Sequence, residues 1–368
     1  MERMIETNGV ELCTEPFGDP ADPAILLVMG LGASMLWWDE ELCRLLATAG
    51  RYVIRYDHRD AGRSVTYEPG RPGYSGADLV GDAAGVLDAY GLAGAHVVGV
   101  SAGGAFAQLL ALDHPDRVVS LVLISTSPAT RGDRPLPPPT EEFGRFLANT
   151  DVDWSSTASV IDYVVGYSRL LAGRARPFDE AAMRQFVRRD LDRTRNIASL
   201  QNHNVIVENG TTHQALASIA APTLVIHGTA DPLFPLPHGE AVAREIPGAT
   251  FLALNAAGHG VDRADWETIV PAVATNGDED QRAAKAHKGN VTGRPSRVAP
   301  WQAHILVSIR EVQSDLAAVD GLDGSTHKAA IDEAKSAIDK SLEWATSPKR
   351  RFGSERGVGY PRCAAQGL

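Results

Sequence analysis

The chain has 368 residues, 44% hydrophobic and 22% charged, with a formal net charge of −11. This is the composition of a globular protein able to bury a sizeable core, and its acidity argues against nucleic acid or an anionic membrane as partner. Cys13, Cys43 and Cys363 form neither a metal spacing nor an even disulfide set, so free structural thiols in a reducing cytoplasm are expected.

The opening residues MERMIETNGV lack the apolar centre of a secretory signal, and AILLVMGLGASMLWW is too short and too broken by glycine to cross a bilayer. AILLVMG, YVIRYD, AHVVGVS and VVSLVLIS read as strands. Each is almost continuously apolar, as strands covered on both faces by helices are. Between them, DEELCRLLATAG and GADLVGDAAGVLDAYG have helical apolar spacing and close on a glycine suited to a left-handed cap. FAQLLALDHP is helical and stops before its proline. The alternation predicts βαβ units and a mostly parallel sheet flanked by helices, residues 1–127 forming its first part.

From 128 to 218 the pattern changes. A proline-rich break, PATRGDRPLPPPT, precedes helical segments carrying Trp154, Tyr163, Tyr167, Phe178 and Phe186, and a helical insert at a strand end predicts a lid over a pocket. APTLVIHG and ATFLALN resume the sheet and WETIVPAVA closes it, so residues 219–275 complete the core. Residues 276–368 read as a C-terminal extension: a polar linker, two helical patterns expected to form a hairpin, and a disordered end. With the core complete by 275, activity is expected not to need this extension.

Gly99-Val100-Ser101-Ala102-Gly103 is a G-x-S-x-G pattern with a predicted strand before it and a helix after it. That context strains the serine on a sharp turn and points the helix N-terminus at any negative charge formed there. Acyl transfer by serine also needs a base, an acid to orient the base, and oxyanion donors. Asp231 lies in the loop after the strand TLVIHG, and His259 lies between glycines after the last strand. The Ala102 N–H, next after the nucleophile, is the first expected oxyanion donor; the second is expected from Leu31 or Gly32 in the loop after AILLVMG. That loop is not a dinucleotide site, because Met35 stands where G-x-G-x-x-G needs its third glycine. No cofactor or metal is expected, since His203, His213, His227 and His238 show no ligand spacing.

In these residues the chain resembles the α/β-hydrolase superfamily, in its lid-bearing serine esterase branch, from about residue 5 to 275. VIRYDHRDAGRS resembles the superfamily's Asp-x-Arg-Gly-x-Gly-x-Ser loop, read here as structural and as placing Asp57 and Arg63 near the sheet edge, and HVVGVSAGG resembles its nucleophile elbow. Within the branch the likeness is to the aclacinomycin-type methylesterases of anthracycline biosynthesis, which similarly begin the oxyanion loop with Met-Gly. The resemblance implies an α/β-hydrolase fold, with Ser101 as nucleophile, Asp231 as acid, His259 as base, and Leu31 and Ala102 as backbone oxyanion donors. The chain departs from the wider superfamily at Met29, where a histidine is usual, and at Ala102, where a bulkier residue often sits.

The expected protein is therefore a cytoplasmic serine hydrolase cleaving a small-molecule carboxylic ester through an acyl-enzyme. Trp37 and the lid aromatics Trp154, Tyr163 and Tyr167, with Met29, point to an apolar or polycyclic substrate such as a methyl ester. The same triad serves a proline-releasing peptidase, a carbon–carbon bond hydrolase or a perhydrolase, and the same fold serves a ligand-binding receptor. Oligomeric state is not legible.

Overall fold

The computed structural model describes residues 1–130, 135–206 and 215–277. The expected helical hairpin and tail lie outside the described residues beyond Gly277, as does Cys363. Eight strands form one sheet: β1 (Arg3–Thr7), β2 (Val10–Phe17), β3 (Ala24–Val28), β4 (Tyr52–Tyr56), β5 (Ala95–Val100), β6 (Val118–Ile124), β7 (Thr223–Gly228) and β8 (Thr250–Leu254). Their order is β1-β2-β4-β3-β5-β6-β7-β8, antiparallel at β1/β2 and β2/β4 and parallel from β4 onward.

The parallel strands are apolar throughout because each feeds two cores with period two. Leu26, Val28, Ile54, Val97, Leu121 and Val225 face one core, completed by α2 (Gly76–Ala89), α3 (Ala102–Asp113) and α7 (Pro237–Glu245). Ile25, Leu27, Val53, Val98, Val122 and Ile226 face the other, completed by α1 (Glu40–Thr48) and α8 (Trp266–Thr275). Each such aliphatic side chain contributes about 1.5–3 kcal/mol by its burial. The helices start at defined caps: Asp39 accepts from the Glu41 N–H at α1, and Ser75 and Asp78 form a reciprocal box at α2.

Two features depart from the sequence expectation. The N-terminal residues form a hairpin, β1 and β2 turning at Asn8 and Gly9, both at positive φ (47° and 73°). And Asp57 is not at the lateral edge of the sheet. It directly follows β4, which pairs on both sides, and is fully buried, accepting from the Met35 and Arg63 N–H groups while pairing with Arg193.

Between β6 and β7 the described residues contain α4 (Glu141–Asn149), α5 (Thr157–Leu171), α6 (Glu180–Arg193) and a 3-10 segment, Ile197–Asn204. Val160, Ile161, Val165, Val187 and Leu191 of this insert form a small core with Ala61 from the loop after β4. Trp154 and Phe178, expected on helices, lie in the turn before α5 and the loop before α6. Among the described residues no helix is long and apolar enough to cross a membrane.

Candidate active site

The sheet reverses direction of winding at β3, since β4 lies on one side of it and β5 on the other. Open α/β sheets bind ligands at such a point, outside the carboxyl ends of the strands. Gly30, just past β3, and Ser101, just past β5, meet there: a methyl group on Gly30 would stand 3.2 Å from the Ser101 Cβ. That is a tight contact, which the missing side chain of Gly30 relieves.

Ser101 caps α3 with φ 57° and ψ −125°, a region that costs a non-glycine residue about 1–3 kcal/mol. Surrounding bonds impose it. Its N–H donates to the Ile124 carbonyl at 2.9 Å, and its carbonyl accepts from the Thr126 hydroxyl at 2.7 Å and the Gly104 N–H at 3.0 Å. The turn is possible because strand and helix nearly touch: a Cβ on Gly99 would come within 2.3 Å of the Gly103 carbonyl oxygen.

Asp231 sits in the turn after β7 with its side chain fully buried. Its Oδ1 accepts the Leu233 and Phe234 N–H groups, each at 2.9 Å, while its Oδ2 accepts from His259 Nδ1 at 2.8 Å. A proton held on Nδ1 leaves the Nε2 lone pair of His259 free to act as a base. Phe234 presents its ring to the imidazole edge-on at 5.6 Å. The His259 loop is anchored on both sides, its N–H donating to the Leu171 carbonyl at 2.7 Å and the Gly260 N–H to the Ser125 hydroxyl at 3.1 Å. Consecutive residues at the end of β6, Ile124 and Ser125, thus hold the backbones of both Ser101 and the His259 loop.

Leu31 lies in an exposed turn after β3, closed by Gly32 at φ 75°. Among the described residues, neither the Leu31 nor the Ala102 N–H is engaged by a protein acceptor. Met29 is partly buried, packed on the α1 and α8 side. Two histidines to which the sequence reading gave no role in the site fix this turn. His58 Nε2 donates to the Met29 carbonyl at 2.8 Å, and His203 Nδ1 accepts the Gly32 N–H at 2.7 Å. A third such histidine, His227, donates from Nε2 to the Phe234 carbonyl at 2.7 Å, bracing the Asp231 turn. Burial pushes all three below the usual histidine range, His203 to about 4.

The remaining expected site residues divide. Tyr167 is close enough to Asp231 for that carboxylate to raise its hydroxyl pKa, though burial is the larger cause and the two carry it to about 12 with Tyr163. Tyr163 stacks on Phe146 at 5.7 Å, Trp154 meets Tyr163 edge-on at 6.0 Å and Tyr167 lies 6.0 Å from Tyr163, so all three belong to one aromatic cluster of the insert. Trp37 is held by the insert, its Nε1 donating to Asp190 at 3.0 Å and its ring meeting Phe186 at 4.8 Å. Among the described residues no group of three or more His, Cys, Asp or Glu side chains is placed to hold a metal ion.

Comparison with known proteins gives the family. Residues 23–261 match the family model of the alpha/beta hydrolase fold. The chain belongs to the α/β-hydrolase family. It is 34% identical to the rhodomycin D methylesterase DauP of Streptomyces sp. (strain C5) and 32% identical to the rhodomycin D methylesterase DnrP of Streptomyces peucetius; each match covers 74% of this chain and 97% of the relative. Among solved structures it is similar to the meta-cleavage product hydrolase of Pseudomonas fluorescens IP01, with a TM-score of 0.58 and 21% identity over 76% of this chain and 98% of that one, a likeness of fold alone.

Proposed function

We propose that this α/β-hydrolase is a serine hydrolase of carboxylic esters and that its substrate is a small-molecule methyl ester of an apolar, polycyclic acid. What supports the reading is the buried Asp231–His259 pair, joined at 2.8 Å, together with Ser101 held at positive φ on a strand-to-helix turn whose backbone and that of the His259 loop are both anchored at the end of β6. The two methylesterase relatives support the ester and its methanol leaving group.

In the proposed reaction Ser101 Oγ attacks the ester carbonyl carbon as its proton passes to His259 Nε2. The oxyanion that forms accepts from the Ala102 and Leu31 N–H groups. Collapse expels methoxide, which takes the proton from His259 and leaves as methanol. Water then attacks the acyl-enzyme, giving its proton to His259, and Ser101 departs with that proton as the acid is freed. Asp231 holds the imidazole in one tautomer and stabilises its cationic form. The insert, residues 128–218, serves as the lid, touching the triad through the Leu171 carbonyl on the His259 N–H, with Met29, Trp37, Trp154, Tyr163 and Tyr167 shaping or bracing the apolar wall. The buried free thiols Cys13 and Cys43 support a reducing, cytoplasmic setting.

The test is Ser101→Ala assayed on p-nitrophenyl butyrate and on a panel of aromatic methyl esters, with methanol release measured. Turnover should fall on the order of 10³-fold or more while the melting temperature holds. Near-normal turnover by the variant would overturn the assignment.

A further inference from the structure

The Leu31 peptide lies between two peptide units that are each clamped by a different histidine. The preceding unit, joining Met29 to Gly30, is held through its carbonyl by His58 Nε2 at 2.8 Å. The following unit, joining Leu31 to Gly32, is held through its N–H by His203 Nδ1 at 2.7 Å. A turn exposed to solvent at Leu31, with glycine on either side, has little else to define the direction of the intervening N–H.

We propose that His203 is a positioning residue of the oxyanion turn, contributed by the insert rather than by the sheet, and that it aims the Leu31 N–H by accepting from Gly32. This rests on the serine-hydrolase reading above. Every bond the ring makes requires one protonation state and one tautomer. Nε2 donates to the Arg59 carbonyl at 2.7 Å, so Nε2 carries the proton and Nδ1 is left as the acceptor that Gly32 uses. Burial, with His58 6.4 Å away ring to ring, keeps the ring neutral. Met29 offers the turn no polar side chain, so its polar support comes from outside the turn's own sequence. His58 reaches it from the end of β4, and His203 from the 3-10 segment Ile197–Asn204.

Two substitutions separate this role from simple packing. In His203→Asn the side-chain oxygen falls near the Nδ1 position and keeps an acceptor for Gly32. In His203→Gln the amide nitrogen reaches the Nε2 position, keeping the Arg59 bond while leaving Gly32 without its acceptor. With p-nitrophenyl butyrate as substrate, His203→Gln should lose kcat by about ten- to a hundredfold with KM changed little, as loss of a transition-state donor does, and His203→Asn should retain most of it. Thermal unfolding of both variants reports their folding. Wild-type kcat in the Gln variant, or equal losses in the two, would overturn the proposal. Full turnover by Ser101→Ala in the same assay would instead overturn the catalytic reading on which it depends.

Discussion

Asp231 divides its two oxygens between a turn and a base. Oδ1 takes two backbone N–H groups, and Oδ2 takes the His259 proton. In Asp231→Asn the amide oxygen can still serve Leu233 and Phe234, which leaves the NH2 facing Nδ1. Nδ1 then becomes the acceptor and the proton moves to Nε2, where a base is needed. The kcat for p-nitrophenyl esters should fall on the order of 10³- to 10⁴-fold with little change in thermal stability. The buried histidines make the fold sensitive to acid. His58, His203 and His227 stay neutral in the folded chain below the pH at which an unfolded histidine takes its proton. As pH falls from about 6.5 towards 4 the unfolded state binds more protons, so stability is lost across that window and is flat in this respect above it. Urea unfolding at pH 7.5 and pH 5 should show the difference, and His203→Asn should shrink it.

At the scale of elements, the elbow depends on how closely α3 approaches the end of β3. A Cβ on Gly103 would lie 2.2 Å from the Val28 carbonyl oxygen and 2.5 Å from that of Met29, both backbone atoms with no room to yield. Gly103→Ala should push the helix N-terminus away, costing about 1–3 kcal/mol in urea unfolding and removing ester turnover together. Elements of this kind were legible in the sequence from residue 24 onward, because buried parallel strands announce themselves as apolar runs and because Ser101, Asp231 and His259 each follow one. The β1/β2 hairpin was not read. Of β1 only Ile5 is buried, so its strands carry no apolar run, and the Asn8-Gly9 turn was the one signal available. His58 and His203 were unreadable for a different reason. They serve backbone groups, one of them 171 residues distant, and a bond to a carbonyl or an N–H leaves no side-chain partner to recognise.

Across the whole molecule, the insert is fastened to the sheet at its functional end. Arg193 at the end of α6 pairs with fully buried Asp57 at 2.7 Å and with Glu2 at 2.6 Å. Asp190 joins Ser34 and Trp37, and Asn202 donates to Asp60 at 2.9 Å. Removing one partner of a buried pair strands the other charge, so Arg193→Ala should lower the unfolding free energy by about 3–5 kcal/mol, read by urea titration. Asp57 would then keep only its two backbone donors, Met35 and Arg63.

Leu171 and His203, both on the insert, each hold a backbone group of a different loop on the sheet. For anyone recombining this chain with a relative, the insert is therefore not an interchangeable part. A donor segment chosen for its substrate preference would have to bring an acceptor for Gly32 and a carbonyl for the His259 loop, or the recipient would gain a new pocket and lose the chemistry beneath it.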